Sequence, residues 1–480
     1  MLHYPGKDKS RAFSEVLKRK RSRGDFDFRG VWFADDVDFS NFKFNKPADF
    51  EYAAFTGRAD FSKAMFNADA SFAYAEFTHA DFKFATFGRV SFRSASFKVF
   101  ASFHYATFGK RVTFKHATFG APATPGRSAS TVAYFSAATF AEGASFERAA
   151  FGTTANFSAA AFGGAASFAS ATFGGAAYFS SASFGEEADF TFTTFASGVL
   201  FTSATFKDYT RFLGGVEKFV FSDEKNVFDN NSSLNLQFAK IDKPDHLSFH
   251  TLKLRPHWFV NVDARRFDFS NVDWDWPHTN VRTEIKSIAE VDVRSAHRLL
   301  AIACRDLADN AEENHRYEEA SKFRFMAMEA RRLERWRGFA FWTLDWWYCR
   351  ASGYGESISR ALLIFIAIWL GFAFLYRLPE PARCSDCTRS IDKQNSWTCF
   401  AWDIRNPQTN CRDISPEKYE ESFFDDFFRS AVYTIESMTL QKPEPRPLST
   451  LARLTVLLCT ILGPVQAALL ALAIRRKFMR

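Results

Sequence analysis

Behind its charged N-terminus the sequence lacks an apolar run, so no signal peptide is expected and the first domain is expected to stay in the cytoplasm. It also lacks any recurring nucleophile with a base. His79, His104 and His116 stand isolated, which removes the usual grounds for an enzyme. Cysteine is scarce, with 7 residues in 480, and unevenly placed. Cys304, Cys349 and Cys459 stand alone, while Cys384, Cys387, Cys399 and Cys411 crowd one loop. Cys384 and Cys387 have a zinc-like spacing, but the other two spacings are irregular and no His is nearby. Neither a metal nor a cofactor is therefore expected. Charge of one sign is missing too: the net charge of +7 is modest for this length, and no nucleic-acid partner is expected.

What the chain has in excess is phenylalanine, 60 residues, most of it in the first half. From Phe39 the phenylalanines fall at 44, 50, 55, 61, 66, 72 and 77, then every five residues to Phe97. Steps of six and five then resume and, after a break at Ala121 to Ser130, continue to Phe212. Neither the helical period nor the strand period produces this rhythm. The residue two before each Phe is nearly always Ala, and a pair such as Gly163-Gly164 accompanies the sixth residue. One large and one small residue pointing inward every five describe the sides of a square coil, with Phe stacked on Phe and Ala letting the backbone turn the corner.

This pattern resembles the Phe-centred pentapeptide repeats, whose fold is a right-handed quadrilateral β-helix. The resemblance implies a domain over 31–278, preceded by a basic segment over 1–30 that contains KRKRSR (Lys18 to Arg23). A coil of about 22 residues gives about eight coils and a rod of roughly 40 Å at the ~4.8 Å strand spacing. Stacked coils need caps; the N-terminal one is expected around Val31 to Phe33, and irregular closing coils over His246 to Trp276. Some pentapeptide-repeat proteins mimic DNA, which requires an acidic outer face. Between 31 and 215, Lys and Arg are about as numerous as Asp and Glu, which argues against mimicry. The rod then reads as a scaffold or a surface for a cytoplasmic protein partner.

After Trp276 the period becomes helical. Leu299, Leu300, Ile302, Ala303 and Leu307 mark one face, and Tyr317, Ala320, Phe323, Met326, Ala327 and Ala330 a second. The two look like a tetratricopeptide-like hairpin, here a structural connector over 281–350. It ends in FAFWTLDWWYCR (Phe339 to Arg350), a composition suited to the headgroup layer. Two stretches, 358–378 and 451–475, are long and apolar enough to span a bilayer. Arginine-rich flanks at Arg331 to Arg337 and Arg475 to Arg480 place both ends in the cytoplasm by the positive-inside rule. The expectation is a multi-pass protein of a bacterial-type inner membrane, in contact with membrane lipid. Loop 379–422 then lies outside, where two disulfides among Cys384, Cys387, Cys399 and Cys411 are favoured and three pairings stay open.

The segment 423–449 is too short and too polar to span, yet apolar and helical in its middle. Span, half-length helix, Pro-containing turn, span: this order resembles the pore-loop module of two-transmembrane ion channels. The resemblance implies inorganic ions as permeants and a homo-oligomer, a tetramer being favoured. Its pore or filter candidates are Glu436, Thr439, Leu440, Gln441, Lys442 and Glu444, and its hinge candidates Gly463 and Pro464. Potassium channels use TVGYG, whose carbonyls replace the hydration shell. The equivalent turn here, Leu440 to Pro445, has no Gly, so potassium selectivity is not expected. Gly353-Tyr354-Gly355 precedes the first span and reads as a turn. The alternative function is a membrane-anchored scaffold that recruits a cytoplasmic partner without conducting ions.

Overall fold

Phe and Ala two residues apart on an extended backbone share one face, and this is how the repeat builds its core. In the computed structural model each short strand buries both: Ala171 and Phe173 are fully buried while Thr172 between them is exposed. The structure describes residues 10–120, 132–215, 227–228, 232–276, 279–289, 295–335, 343–376, 423–441 and 450–478. Two compact units emerge, residues 1–315 and 316–480.

The first unit is a β-solenoid of about ten turns, where the sequence suggested about eight. The difference arises because coils are already formed at Phe26 to Phe28, where Asp27 bridges Asp49, and persist to Asp268–Ser270. All strand pairs are parallel, in sheets of 14, 10 and 9 strands; the largest carries two rows of short strands, which makes four rows in all. Trp32 pairs with Ala54, 22 residues on, and most coils keep that step. Where the sixth residue is missing the coil shortens: Ala70 pairs with Val90. The longer strands Ala54–Asp60, Glu76–Asp81 and Ser96–Ser102 run through a corner and join two rows.

Inside, the rings form four ladders. Phe173 lies between Phe151 and Phe195 at centroid distances of 4.7 and 5.1 Å, with planes nearly parallel. Adjacent ladders meet edge to face, as Phe146 meets Phe157 at 5.2 Å and 86°, the arrangement that the ring quadrupole favours. The ladder carries on across the 121–131 segment, for Phe103 stacks on Phe135 at 4.8 Å.

The corners are not made by the buried Ala. After every second Phe the chain turns through a residue with positive φ, such as Asn41, Tyr52, Lys63, Ser170 and Ser181, all between 55° and 58°. Each such conformation costs a non-glycine residue about 1–2 kcal/mol. It is offset by hydrogen bonds: Ala171 N donates to Phe168 O within the turn, and Ser170 N to Thr191 O of the next coil. A carboxylate or amide just before the Phe adds a local bond, as Asp49 accepts from Glu51 N and Asn156 from Ser158 N, the Asx-turn chemistry that favours Asp and Asn here.

The six-residue steps turn differently, and the glycines there have negative φ. Their role is close approach: a Cβ on Gly163 would lie 2.6 Å from Ala141 O, and one on Gly174 2.8 Å from Gly152 O.

The N-terminal end is covered by helix α1 (Ser10–Arg23) rather than by Val31 to Phe33, which belong to the first coil. Phe13 meets Phe33 edge to face at 5.5 Å, and Arg21 lies over Phe39 and Phe42. At the other end α2 (Val281–Ala289) and α3 (Ala296–Glu313) close the last coils. Glu284, fully buried, accepts from both the backbone N–H and the ring of His257 at 3.1 and 2.6 Å. Asn310 donates to the carbonyls of Ala264, Arg265 and Phe267.

The second unit contains α4 (Tyr317–Arg335), α5 (Leu344–Ser352), α6 (Ile358–Leu375), α7 (Phe423–Met438) and α8 (Thr450–Phe478). Among the described residues between 281 and 350 there are four helices where a hairpin of two and an interfacial helix were expected, α2 being the addition. Helix α5 is capped at its start by Thr343 and ends in the turn Gly353-Tyr354-Gly355, all three with positive φ.

Candidate functional site

Helix α7 has the composition of a buried short helix with one polar side. Ser430, Thr434 and Ser437 recur at helical spacing and are buried, where Thr434 donates its hydroxyl to Ser430 O at 2.7 Å. Such back-bonding satisfies a hydroxyl that has no water. The same helix packs between α6 and α8 through Tyr433 and Met438, in a core with Phe372, Tyr376 and Cys459. Trp369 of α6 donates its indole N–H to Ala431 O at 2.9 Å, a side-chain contact that fixes α7 lengthwise against α6.

The C-terminal end of α7 is the point of interest. Thr439 N still donates to Ile435 O, and the Thr439 hydroxyl to Ile435 O and Glu436 O. Leu440 then takes a φ of 58°, and Gln441 N returns to Glu436 O at 3.0 Å. This is a Schellman-type ending, in which Gly is the usual residue at the left-handed position. A leucine there stores strain, and it leaves the Leu440 side chain 69 % exposed. Met438, two residues earlier in the same bend, packs on Gly463 of α8, where a Cβ would lie within 3 Å of the Met438 side chain.

By length and composition α6 and the Arg453–Arg476 part of α8 can cross a membrane. Gly463 lies near the midpoint of that stretch, so the end of α7 meets α8 about halfway along it. Pro464 is inside α8, whose helical run continues to Phe478. Gln466, one turn on, donates to Ala351 O and Ala361 O at 2.9 and 2.8 Å and is buried. Of the sequence candidates, Thr439, Leu440 and Gln441 are exposed together at the end of α7, and Glu436 sits half-buried a turn before. Lys442 and Glu444 lie outside the described residues. So do Cys384, Cys387, Cys399 and Cys411, and no disulfide is present among the described residues, where Cys304, Cys349 and Cys459 are free thiols.

Sequence reasoning missed Gly463 as a packing surface for Met438, although its position opposite the half-length helix was a usable signal. It also missed Trp369 and Gln466, for which a lone polar group inside an apolar run was the only cue. Near the helix ends, burial pushes the Glu356 carboxyl up, partly opposed by hydrogen bonds from Ser321 and Arg476. Burial likewise raises the Cys349 thiol, which keeps it protonated.

Residues 28–76 match the family of pentapeptide repeats (9 copies), in agreement with the solenoid. Among curated proteins none matches the chain.

Proposed function

We propose that this protein is an oligomeric pore-loop-type ion channel of a bacterial-type inner membrane, with the solenoid as its cytoplasmic sensing or assembly domain. The observation that carries the reading is the end of α7. Irregular backbone at membrane depth is tolerated only where protein buries it or water lines it. In a single chain Thr439, Leu440 and Gln441 are exposed there, halfway along α8. Around a symmetry axis, copies of this chain both bury the flanks of that ending and leave its polar tip facing a water-filled path. Exposed apolar residues on α7 (Phe428, Val432, Ile435) and α8 (Leu457, Ile461, Leu462, Val465) supply surface for neighbouring copies or for lipid.

A fourfold assembly suits two spans and one half-helix per chain, with both termini on the cytoplasmic side and Gly463-Pro464 as the flexing point of the inner helix. Without a TVGYG-type turn the path is not potassium-selective. The four ladders and four strand rows support a quadrilateral solenoid, right-handed by the pentapeptide resemblance. The decisive experiment is reconstitution of the full chain in planar bilayers. Cation or anion current that changes selectivity in Glu436→Gln supports the channel; a flat trace from well-folded oligomers, with and without voltage or tension, overturns it.

The scaffold reading also has an observation in its favour. Tyr52 stacks on Tyr74 and Phe84 on Tyr105, at 4.9 and 5.1 Å, on the outside of the solenoid and about half exposed. Exposed aromatic pairs suit a protein partner. A monomer in detergent, with a cytoplasmic binding partner lost in Tyr74→Ser with Phe84→Ser, favours that reading over the channel.

A further inference from the structure

A cavity of about 430 Å³ opens beside the first turn of α6, lined by Glu329 and Arg332 of α4, Trp346, Cys349 and Arg350 of α5, and Arg360 and Ile364 of α6. Its charges are unequally satisfied. Arg332 is held by Glu329, with Nε at 2.8 Å, and Glu329 also accepts from the Tyr354 hydroxyl at 3.0 Å, so that pair is internally neutral. Arg350 lies over the Trp346 ring at 5.4 Å. Arg360 donates to Cys349 O at 3.2 Å and lies over the Phe325 ring at 5.9 Å. Neither Arg350 nor Arg360 has a carboxylate within ion-pair distance among the described residues. Two guanidinium groups therefore face the same cavity with their planar N–H forks unused by any anion, and that fork matches phosphate geometry.

The location adds a direction. Arg360 is in the first turn of a helix apolar enough to span, and Ile364 lies one turn deeper. The C-terminal end of α8 is at the same level, since Arg476 donates to Tyr354 O and pairs with Glu356. Trp347 and Leu344 on α5 are exposed at 58 % and 87 %, as a helix lying in the headgroup layer presents them. The arginines at this end mark it as the cytoplasmic leaflet, the one that carries anionic lipid.

We propose that this cavity binds a phosphate group, that of an anionic phospholipid such as phosphatidylglycerol, between Arg350 and Arg360 with Trp346 as its wall. The site rests on α6 crossing a membrane, and needs neither conduction nor an oligomer. Phosphatidylcholine offers the same phosphate with a cationic group attached and is the discriminating control.

The test uses the full chain in detergent micelles titrated with phosphatidylglycerol, phosphatidylcholine or inorganic phosphate. Bound lipid is counted by native mass spectrometry and Tm is followed in parallel. Phosphatidylglycerol is expected to bind at least tenfold more tightly than phosphatidylcholine and to raise Tm. Arg350→Gln and Arg360→Gln are each expected to weaken it about fivefold, the equivalent of about 1 kcal/mol per basic side chain at an anionic surface. Arg360→Lys should recover part of that loss, and Arg335→Gln, an exposed arginine outside the cavity, should change nothing. If inorganic phosphate alone raises Tm through the same two arginines while the lipids do not discriminate, the phosphate site stands and the lipid source is overturned. Equal binding of both lipids with no effect of either glutamine variant overturns the site. Because insertion into phosphatidylcholine vesicles is scored separately by flotation, failure of the membrane reading is told apart from failure of the lipid site.

Discussion

Glycines that directly follow a Phe look alike in sequence but not in their surroundings, and alanine substitution should separate them. A Cβ on Gly163 would lie 2.6 Å from Ala141 O and within 3.3 Å of two further backbone atoms. On Gly88, which follows Phe87 in a five-residue step, the nearest atom would be Phe66 O at 3.5 Å, an ordinary contact. Neither glycine has a positive φ, so alanine is conformationally acceptable at both. The unfolded chain loses freedom equally in the two variants, a stabilisation of about 0.4–1 kcal/mol. At Gly163 the clashing atoms are backbone of the preceding coil, fixed by Gly163 N donating to Phe140 O at 2.7 Å. Relieving the clash must open the stack, an overpacking cost of about 1–3 kcal/mol. Gly88→Ala is therefore expected to match or exceed the wild type, and Gly163→Ala to be less stable than Gly88→Ala by about 1–3 kcal/mol. Thermal and urea melts of the full chain, followed by the β-sheet circular dichroism signal, give the ranking. Equal stability of the two variants, or Gly163→Ala the more stable, would refute close coil approach as the reason for the glycine pairs.

Phe173→Ala removes a fully buried ring between two stacked neighbours and should destabilise the solenoid by about 3–5 kcal/mol, seen as a lower urea midpoint. Asn310→Ala should cost about 1–3 kcal/mol by removing the side-chain amide that three carbonyls of the last coil share, Ala264 O among them keeping a donor in Phe267 N; limited proteolysis should then cut first near 264–267. Asp208 accepts hydrogen bonds from Lys243 and His246, and these hold its carboxyl below the ordinary value of 3.8. Its contribution is thus full above that value and fades as pH falls through the depressed one, so the Tm gap between wild type and Asp208→Asn should narrow on acidification from neutral pH to below the ordinary carboxylate range. Gly463→Ala should push Met438 off α8 and, on the proposed channel reading, lower the yield of oligomer on native gels, with the solenoid melt unchanged.

The core was legible because it repeats: Phe on successive sides of the coil and Ala two residues earlier leave one face apolar, and no other period fits. Coil number was less legible, since Phe26 and Phe28 precede the regular rhythm and the closing coils around Phe249 and Phe269 drift from it. The corner residues carry no composition signal at all. Asn41, Tyr52, Lys63, Phe84 and Ala137 share a backbone conformation imposed by hydrogen bonds to the next coil, and only the stack makes it affordable. In the helical unit the apolar runs predicted which helices could span. Where α7 stops could not be read, because Leu440 in a left-handed conformation defies local preference and depends on Met438 meeting Gly463.

The uniform step between coils has a consequence for how such a rod changes length. The regular coils over 133–206 offer the same donors, acceptors and ring positions to the coil on either side, so a duplicated 22-residue stretch there would join the stack without altering any existing pair. Lineages carrying this scaffold can therefore lengthen or shorten it by whole coils through unequal recombination, while α1 at one end and α2 with α3 at the other keep the termini sealed. Reach becomes a trait tunable independently of the helices that follow.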